Sequence, residues 1–102
     1  MIHLMTAQTE ELSKTLHSLG LSEKETAVYL AILELGRGTV TQISRKANIN
    51  RTSGYDILDS LAHQGLARVS GKEPKQEYVA ESPDNLLTLL DKRLHETEES
   101  IR

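Results

Sequence analysis

Apolar residues recur at helical spacing from residue 12 to residue 62 and predict four helices in this part of the chain. The apolar face of the first helix consists of Leu12, Leu16 and Leu19. Their spacing of i, i+4 and i+7 is that of one helix face. Thr6 or Thr9 would cap the amino terminus of this helix, and Gly20 would end it.

The second predicted helix lies in the stretch LSEKETAVYLAILELG. Ser22 followed three residues later by Glu25 matches a capping box, in which the hydroxyl and the carboxylate each accept a hydrogen bond from a free backbone amide. Apolar residues from Ala27 to Leu35 leave this helix little polar surface. We expect it to be the most buried helix, ending at Gly36.

Two further helices follow with a very short connection. Thr39 or Thr41 would open a short helix, roughly Thr41 to Ala47. Asn50 is then a fitting N-cap for a longer helix, because its side chain can accept from a first-turn amide, and Gly65 fits just after its end. A short helix, a tight turn and a longer helix predict a helix-turn-helix, with the recognition helix at about Asn50–Gln64.

The recognition helix has an apolar arc and a polar arc. The apolar arc contains Gly54, Ile57, Leu58, Leu61 and Ala62. The polar arc contains Thr52, Ser53, Tyr55, Asp56, Asp59, Ser60 and His63. A glycine inside a helix costs about 1 kcal/mol relative to alanine. Because Gly54 lies on the apolar arc, we predict that the short helix packs closely against it.

Two short segments after Gly65 predict a β-hairpin. They are Leu66–Ser70 and Gln76–Ala80, and the stretch Gly71–Lys75 between them contains glycine and proline. A helix-turn-helix followed by a hairpin is a winged helix. The predicted fold class is mainly α with a small β-hairpin: a winged helix-turn-helix plus a C-terminal helix that resembles a coiled coil.

The last segment begins with a strong helix start signal, since Ser82 is a fitting N-cap and Pro83 would occupy the first helical position. A heptad pattern follows at Leu87, Leu90, Leu94, Thr97 and Ile101. Such a seam needs a partner, either the first helix of its own chain or a second copy. We predict a winged-helix DNA-binding domain over residues 1–81 and a dimerisation helix over residues 82–102. Its dimer contacts would be Leu87, Leu90, Leu94 and Ile101.

The distribution of charge along the chain favours a nucleic-acid partner more than the net charge does. The 102 residues have a net charge of −3. From residue 41 to residue 80, however, six basic residues face four acidic ones, a net of +2, and the acidic excess lies at the two ends. The chain has no cysteine, no apolar run of about 20 residues and no signal-peptide pattern, so we expect a cytoplasmic protein that does not enter a membrane.

With these elements placed, LSEKETAVYLAIL and NRTSGYDILDSLAHQGL resemble the N-terminal winged-helix domain of the TrmB-like transcriptional regulators. The resemblance covers roughly residues 19–83. It implies sequence-specific binding to promoter DNA as a homodimer, with Arg51, Thr52, Ser53 and Tyr55 on the recognition helix. Full-length members usually have a larger effector domain that binds sugars. This chain stops shortly after the linker helix, so no small-molecule effector is inferred.

Candidate DNA contacts lie on three elements. They are Thr41, Gln42, Arg45 and Lys46 on the short helix, Asn50, Arg51, Thr52, Ser53 and Tyr55 on the recognition helix, and Lys72 and Lys75 in the wing. The short-helix residues would contact the DNA backbone, or Arg45 and Lys46 are plain surface. Arg51 and Tyr55, at i and i+4, would lie together, where the guanidinium can meet a phosphate or a guanine edge. The wing sequence KQEY has fewer cations than the family pattern, and the two lysines of the loop, Lys72 and Lys75, either touch phosphates or are solvated.

Asp56 and Asp59 do not fit this interface simply. Both would repel phosphates, although an aspartate can accept from the amino group of cytosine; a solvated face or pairing within the helix is the alternative. The four histidines lack metal-ligand spacing, and neither a glycine-rich phosphate loop nor a catalytic triad stands out. We therefore expect a transcription regulator without metal, cofactor or enzymatic activity. The alternatives are a winged-helix docking module for proteins and the N-terminal part of a larger sugar-responsive regulator.

Overall fold

The computed structural model describes residues 7–72, 75–86, 88, 91 and 92. The named elements within these residues are four helices and two strands, and a short helical segment follows them at residues 83–86. The helices are α1 (Ala7–Ser18), α2 (Glu23–Leu35), α3 (Val40–Ala47) and α4 (Arg51–His63), and the strands are β1 (Ala67–Ser70) and β2 (Glu77–Ala80). One compact unit, Ser22–Glu81, contains α2 to β2, and α1 belongs to a second unit. The predicted division into domains at residues 81 and 82 remains a prediction.

Helix α1 has the predicted apolar face, because Leu16 and Leu19 are buried and Leu12 is half-buried. Its end is also as expected, since Gly20 follows with a φ of 94°. The helix begins at Ala7, so Thr9 lies within it and the prediction that Thr9 caps it is wrong. Thr6, the alternative cap, lies outside the described residues.

The predicted capping box of α2 is present. The Ser22 hydroxyl accepts from the Glu25 amide at 3.1 Å, and Glu25 Oε1 accepts from the Ser22 amide at 2.9 Å. Gly36 ends the helix, as predicted. Burial of α2 differs in detail from the prediction, because Leu35 in its last turn is 39 % exposed, whereas Thr26 and Tyr29 are buried.

Thr39, rather than Thr41, opens α3. The Thr39 hydroxyl accepts from the Gln42 amide at 3.2 Å, and Gln42 Oε1 accepts from the Thr39 amide at 3.0 Å, which makes a second capping box. The helix ends at Asn48 in the left-handed region, with a φ of 61°. Asparagine adopts this conformation more readily than most residues. Among the described residues, Asn48 alone has a positive φ without being glycine.

Helix α4 begins as predicted, with Asn50 Oδ1 accepting from the Ser53 amide at 2.8 Å. Its apolar arc faces the core through Gly54, Leu58 and Leu61, which are all buried. The close approach predicted at Gly54 is confirmed, because a Cβ atom built there would fall on Ser44 Oγ of α3. The packing of α3 against α4 therefore depends on the absence of a side chain at this position.

The wing is an antiparallel pair that runs from Ala67 opposite Ala80 to Ser70 opposite Glu77. A bridge that the sequence did not predict extends it: the Gly38 amide donates to Tyr78 O at 3.1 Å, and the Tyr78 amide donates to Gly38 O at 2.8 Å. This bridge ties the α2–α3 turn to β2. The wing is thus fixed to the helix-turn-helix by main-chain hydrogen bonds.

Tyr29 joins α2 to the residue that follows the wing. The side chain is fully buried, and its hydroxyl donates to the carbonyl of Glu81 at 2.5 Å. Burial, with a smaller contribution from the charge of Glu81, raises the pKa of Tyr29 to about 12. The phenol is therefore neutral in the folded protein over a wider pH range than in the unfolded chain.

We expect Tyr29→Phe to lower the free energy of unfolding by about 1–2 kcal/mol at neutral pH, because the Glu81 carbonyl loses its donor. Since the folded pKa of Tyr29 is raised, its contribution to stability is complete below pH 10 and is lost as the pH rises from about 10 to about 12. Urea unfolding of both proteins at neutral pH and at about pH 11 measures this difference. An equal gap between the two proteins at both pH values would contradict the assignment.

Residues 83–86 are helical, so Pro83 occupies the first helical position, as predicted. The Asp84 amide donates to Ser82 Oγ at 3.2 Å, which is the predicted cap. Leu86 is buried. The seam residues Leu87, Leu90, Leu94, Thr97 and Ile101 lie outside the described residues, and the dimerisation helix remains a prediction.

Candidate nucleic-acid interface

The exposed side of α4 is polar over its whole length. Opposite the buried face lie Thr52, Asp56, Asp59 and His63, all exposed. We call these four residues the outer ridge. Its side chain near the amino terminus of α4, Thr52, is short and uncharged, and those in the middle, Asp56 and Asp59, are acidic. The outer surface of α4 is thus able to form hydrogen bonds, as expected of a helix that enters a DNA groove.

Arg51 and Tyr55 form a pair beside the outer ridge. A terminal guanidinium nitrogen of Arg51 donates to the Tyr55 hydroxyl at 3.1 Å, and Arg51 Cζ lies 5.5 Å from the centre of the tyrosine ring. Both side chains are exposed. The predicted proximity of the two residues is therefore confirmed. The tyrosine orients the guanidinium and occupies one of the five N–H donors of Arg51. The other donors remain able to reach a phosphate or a base edge.

Asn50, another candidate at the start of α4, has a structural role of its own. Asn50 uses its side-chain oxygen to cap the helix. Ser53 is half-buried, whereas Thr52 is exposed. Asn50 therefore sets the position at which α4 begins and makes Arg51 its first helical residue.

The candidates on α3 are all exposed, but they differ in their partners. Gln42 uses its side-chain oxygen in the capping box, and Thr41 lies beside it. Lys46 pairs with Glu34 of α2 at 2.8 Å. In the described part of the chain, Arg45 forms no ion pair. Exposed ion pairs contribute little stability, so Lys46 can exchange Glu34 for a phosphate.

The two lysines of the wing lie at either side of its tip and are exposed. The Lys75 amide donates to Lys72 O at 2.8 Å. Gly71 has a φ of 82°, and an added Cβ would lie 3.1 Å from Lys75 O, so the tight loop requires glycine there. Within residues 7–72 and 75–86, neither lysine forms an ion pair.

A polar network that sequence analysis did not predict holds the second half of α4. Ser60 Oγ donates to Glu25 Oε2 at 3.0 Å, and Gln64 Nε2 donates to Ser60 Oγ at 3.1 Å. The carboxylate that caps α2 thus also fixes the position of α4. The capping-box motif identified Glu25 but gave no signal of a partner 35 residues away.

Neither a metal site nor a membrane span is visible in the described residues. No group of three or more histidine, aspartate or glutamate side chains among them could hold a metal ion. None of the helices they form is long and apolar enough to cross a bilayer.

A helix-turn-helix whose second helix exposes a polar surface, followed by a two-stranded wing, defines the winged-helix class of DNA-binding domains. The family model described as "Sugar-specific transcriptional regulator TrmB" matches residues 16–84. The chain belongs to the TrmB family of transcriptional regulators, as its sequence motifs suggested. The family consists of regulators rather than enzymes.

Individual relatives agree with this assignment. The sugar-sensing transcriptional regulator TrmBL1 of Pyrococcus furiosus is 32% identical over 78 residues, which are 76% of this chain and 23% of that protein. The structure of TrmBL2, described as an archaeal chromatin protein with a novel mode of DNA binding, superimposes with a TM-score of 0.76 at 21% identity, covering 89% of this chain and 35% of that one. A MarR family regulator from Silicibacter pomeroyi superimposes with a TM-score of 0.62 at 19% identity, covering 90% of this chain and 64% of that one. At these identities the two structures establish the winged-helix fold alone.

Proposed function

We propose that this chain binds double-stranded DNA in a sequence-specific manner as a homodimer and thereby regulates transcription. Helix α4 would lie in the major groove, which is about 12 Å wide and admits an α-helix. The amino-terminal part of its outer ridge, Thr52 and Asp56, would face the base edges. The fold and the family support DNA binding, and the docking geometry is our proposal.

The Arg51–Tyr55 pair at the start of α4 supports this proposal most strongly. An arginine on a protein surface is usually mobile, whereas this one is held by a hydrogen bond and by the face of an aromatic ring. A guanidinium that is already oriented loses less conformational freedom on binding. Recognition helices contact DNA mainly through their amino-terminal residues, which is where the pair lies.

The backbone contacts would come from cations on either side of the recognition helix. Arg45 and Lys46 lie on α3, and Lys72 and Lys75 lie in the wing; all four are exposed. Contacts of this kind position the protein on the duplex without reading its sequence. They also release counterions, so the affinity should depend strongly on salt.

Dimerisation would follow from the leucine seam after Ser82. We expect the Leu90→Lys, Leu94→Lys double variant to sediment as a monomer, since buried ammonium groups would oppose pairing of the seam. The Asn85→Lys, Thr88→Lys double variant is the matched control, because both residues are exposed on the same segment and the two substitutions also add two positive charges. A double variant that remains dimeric would move the interface away from the seam.

Selection of bound fragments from random duplex DNA tests the proposed function as a whole. A homodimer should enrich an inverted repeat whose half-sites lie about one helical turn, 34–36 Å, apart. Enrichment of a single unrepeated site would contradict the dimer. Recovery of no sequence pattern would contradict sequence-specific binding.

A further inference from the structure

Asp56 occupies the outermost position on the amino-terminal half of α4. At about 100° per residue, it lies nearly opposite the centre of the buried face formed by Gly54, Leu58 and Leu61. Arg51 and Tyr55 lie to one side of this position and are bonded to each other. If α4 enters the major groove by its outer ridge, the Asp56 carboxylate reaches deeper into the groove than the arginine does.

This carboxylate has no cation to neutralise it in the described part of the chain. The three ion pairs found there involve Glu34, Glu77 and Glu81. A free carboxylate between two rows of phosphates is unfavourable unless it accepts a hydrogen bond from the DNA. Its presence at the centre of the ridge therefore restricts which base can stand opposite it.

The major-groove edges of the four bases allow one good partner. Guanine presents two acceptors, thymine presents an acceptor and a methyl group, and adenine places an acceptor next to its amino group. The amino donor of adenine lies between two acceptors, its own N7 and the O4 of the paired thymine, whereas the amino donor of cytosine has an acceptor on one side only, the O6 of the paired guanine. An ionised carboxylate, which has acceptors alone, fits cytosine and is repelled by the acceptors of the others.

We propose that Asp56 is a specificity-determining residue that accepts a hydrogen bond from the N4 amino group of a cytosine, so that each half-site requires a C·G pair at one position. This role rests on the DNA binding proposed above. The Arg51–Tyr55 pair then contacts a phosphate or a guanine edge beside the ridge. Asp56 adds a selection for cytosine, which a cationic pair cannot make.

Asp59 provides the matched comparison. It is also exposed on the outer ridge and also lacks an ion pair among the described residues, but it lies about one turn further from the amino terminus of α4. Its backbone carbonyl lies 3.0 Å from His63 Nδ1. Because base contacts concentrate at the start of a recognition helix, we assign the selective role to Asp56 alone.

The test is to select fragments from random duplex DNA with the wild-type chain, Asp56→Asn and Asp59→Asn. The wild-type site should contain one fixed cytosine in each half-site. Asp56→Asn should select adenine instead of this cytosine, because the N6 and N7 atoms of adenine match an amide. The wild-type chain should prefer cytosine to adenine at this position by about tenfold or more, and the variant should reverse this preference. Asp59→Asn should return the wild-type site. The midpoints of thermal unfolding show whether the variants fold. They should equal that of the wild type, because both substitutions are at exposed positions.

Three outcomes would overturn the role of Asp56. The first is an unchanged site for Asp56→Asn. The second is tighter binding of Asp56→Asn to all duplexes without a change of site, which would mean that the carboxylate only repels phosphates. The third is a change of site for Asp59→Asn instead. Failure of the wild-type chain to enrich any site would instead refute the proposed function, so the two failures are distinguishable.

Discussion

Replacing Gly54 with valine is expected to lower the free energy of unfolding by about 1–3 kcal/mol. A Cβ at this position would fall on Ser44 Oγ and lie 3.3 Å from Ser44 Cβ and 3.5 Å from Val40 Cγ1. Valine would add two methyl groups to this contact. The helices α3 and α4 would have to move apart, and α4 would lose its position relative to the rest of the domain. Urea unfolding measures the loss.

Alanine variants at the same contact provide the control. Ser44 Oγ is buried without a hydrogen-bond partner in the described structure. Ser44→Ala removes the atom that obstructs residue 54, so Gly54→Ala in that background should gain up to about 1 kcal/mol of helix propensity. Gly54→Ala beside the native serine should gain less or lose stability. Equal effects of Gly54→Ala in both backgrounds, or a Gly54→Val variant as stable as the wild type, would contradict this account of the interface.

Arg51→Ala should weaken binding to the selected duplex by about 1–3 kcal/mol, or roughly five- to 150-fold. The substitution removes the cation that Tyr55 orients at the start of α4. Titration of a labelled duplex at fixed salt measures the change. An unchanged affinity would show that Arg51 does not contact the DNA.

Two further variants are compared with Arg51→Ala. Tyr55→Phe keeps the aromatic ring but removes the hydroxyl that accepts from Arg51, so we expect a smaller loss than for Arg51→Ala. Lys75→Ala, in the wing, should weaken binding by a similar factor on every duplex, because a phosphate contact does not read sequence. The ratio of affinities for selected and unrelated duplexes therefore separates the two kinds of contact.

The sequence predicted best those features that depend on residues close together in the chain. The capping box of Ser22 and Glu25 and the cap at Asn50 involve residues three apart, so each motif contains both partners. Helical spacing likewise placed Arg51 beside Tyr55. The packing role of Gly54 was predictable, because a glycine inside a helix lowers its stability relative to alanine. The position of Gly54 on the apolar arc indicated that close packing of a neighbouring helix is the reason for the glycine.

Contacts between distant residues were not predictable from periodicity. Tyr29 and Glu81 are 52 residues apart, and Glu25 and Ser60 are 35 apart. The bridge from Gly38 to Tyr78 depends on main-chain groups, which leave no trace in a residue pattern. The pairing of Lys46 with Glu34 likewise required the packing of α3 on α2. In the candidate interface, helical spacing therefore identified the exposed residues but not the partners that hold them.

The most direct test of DNA recognition is a titration of the selected duplex and a scrambled duplex of the same composition at about 50 and about 200 mM salt. We predict that the chain binds the selected duplex about 10³-fold more tightly or better. Both affinities should fall steeply at the higher salt concentration, because the neutralised phosphates release their counterions. Equal affinity for the two duplexes, or no binding to either at about 50 mM salt, would contradict sequence-specific DNA binding by this chain.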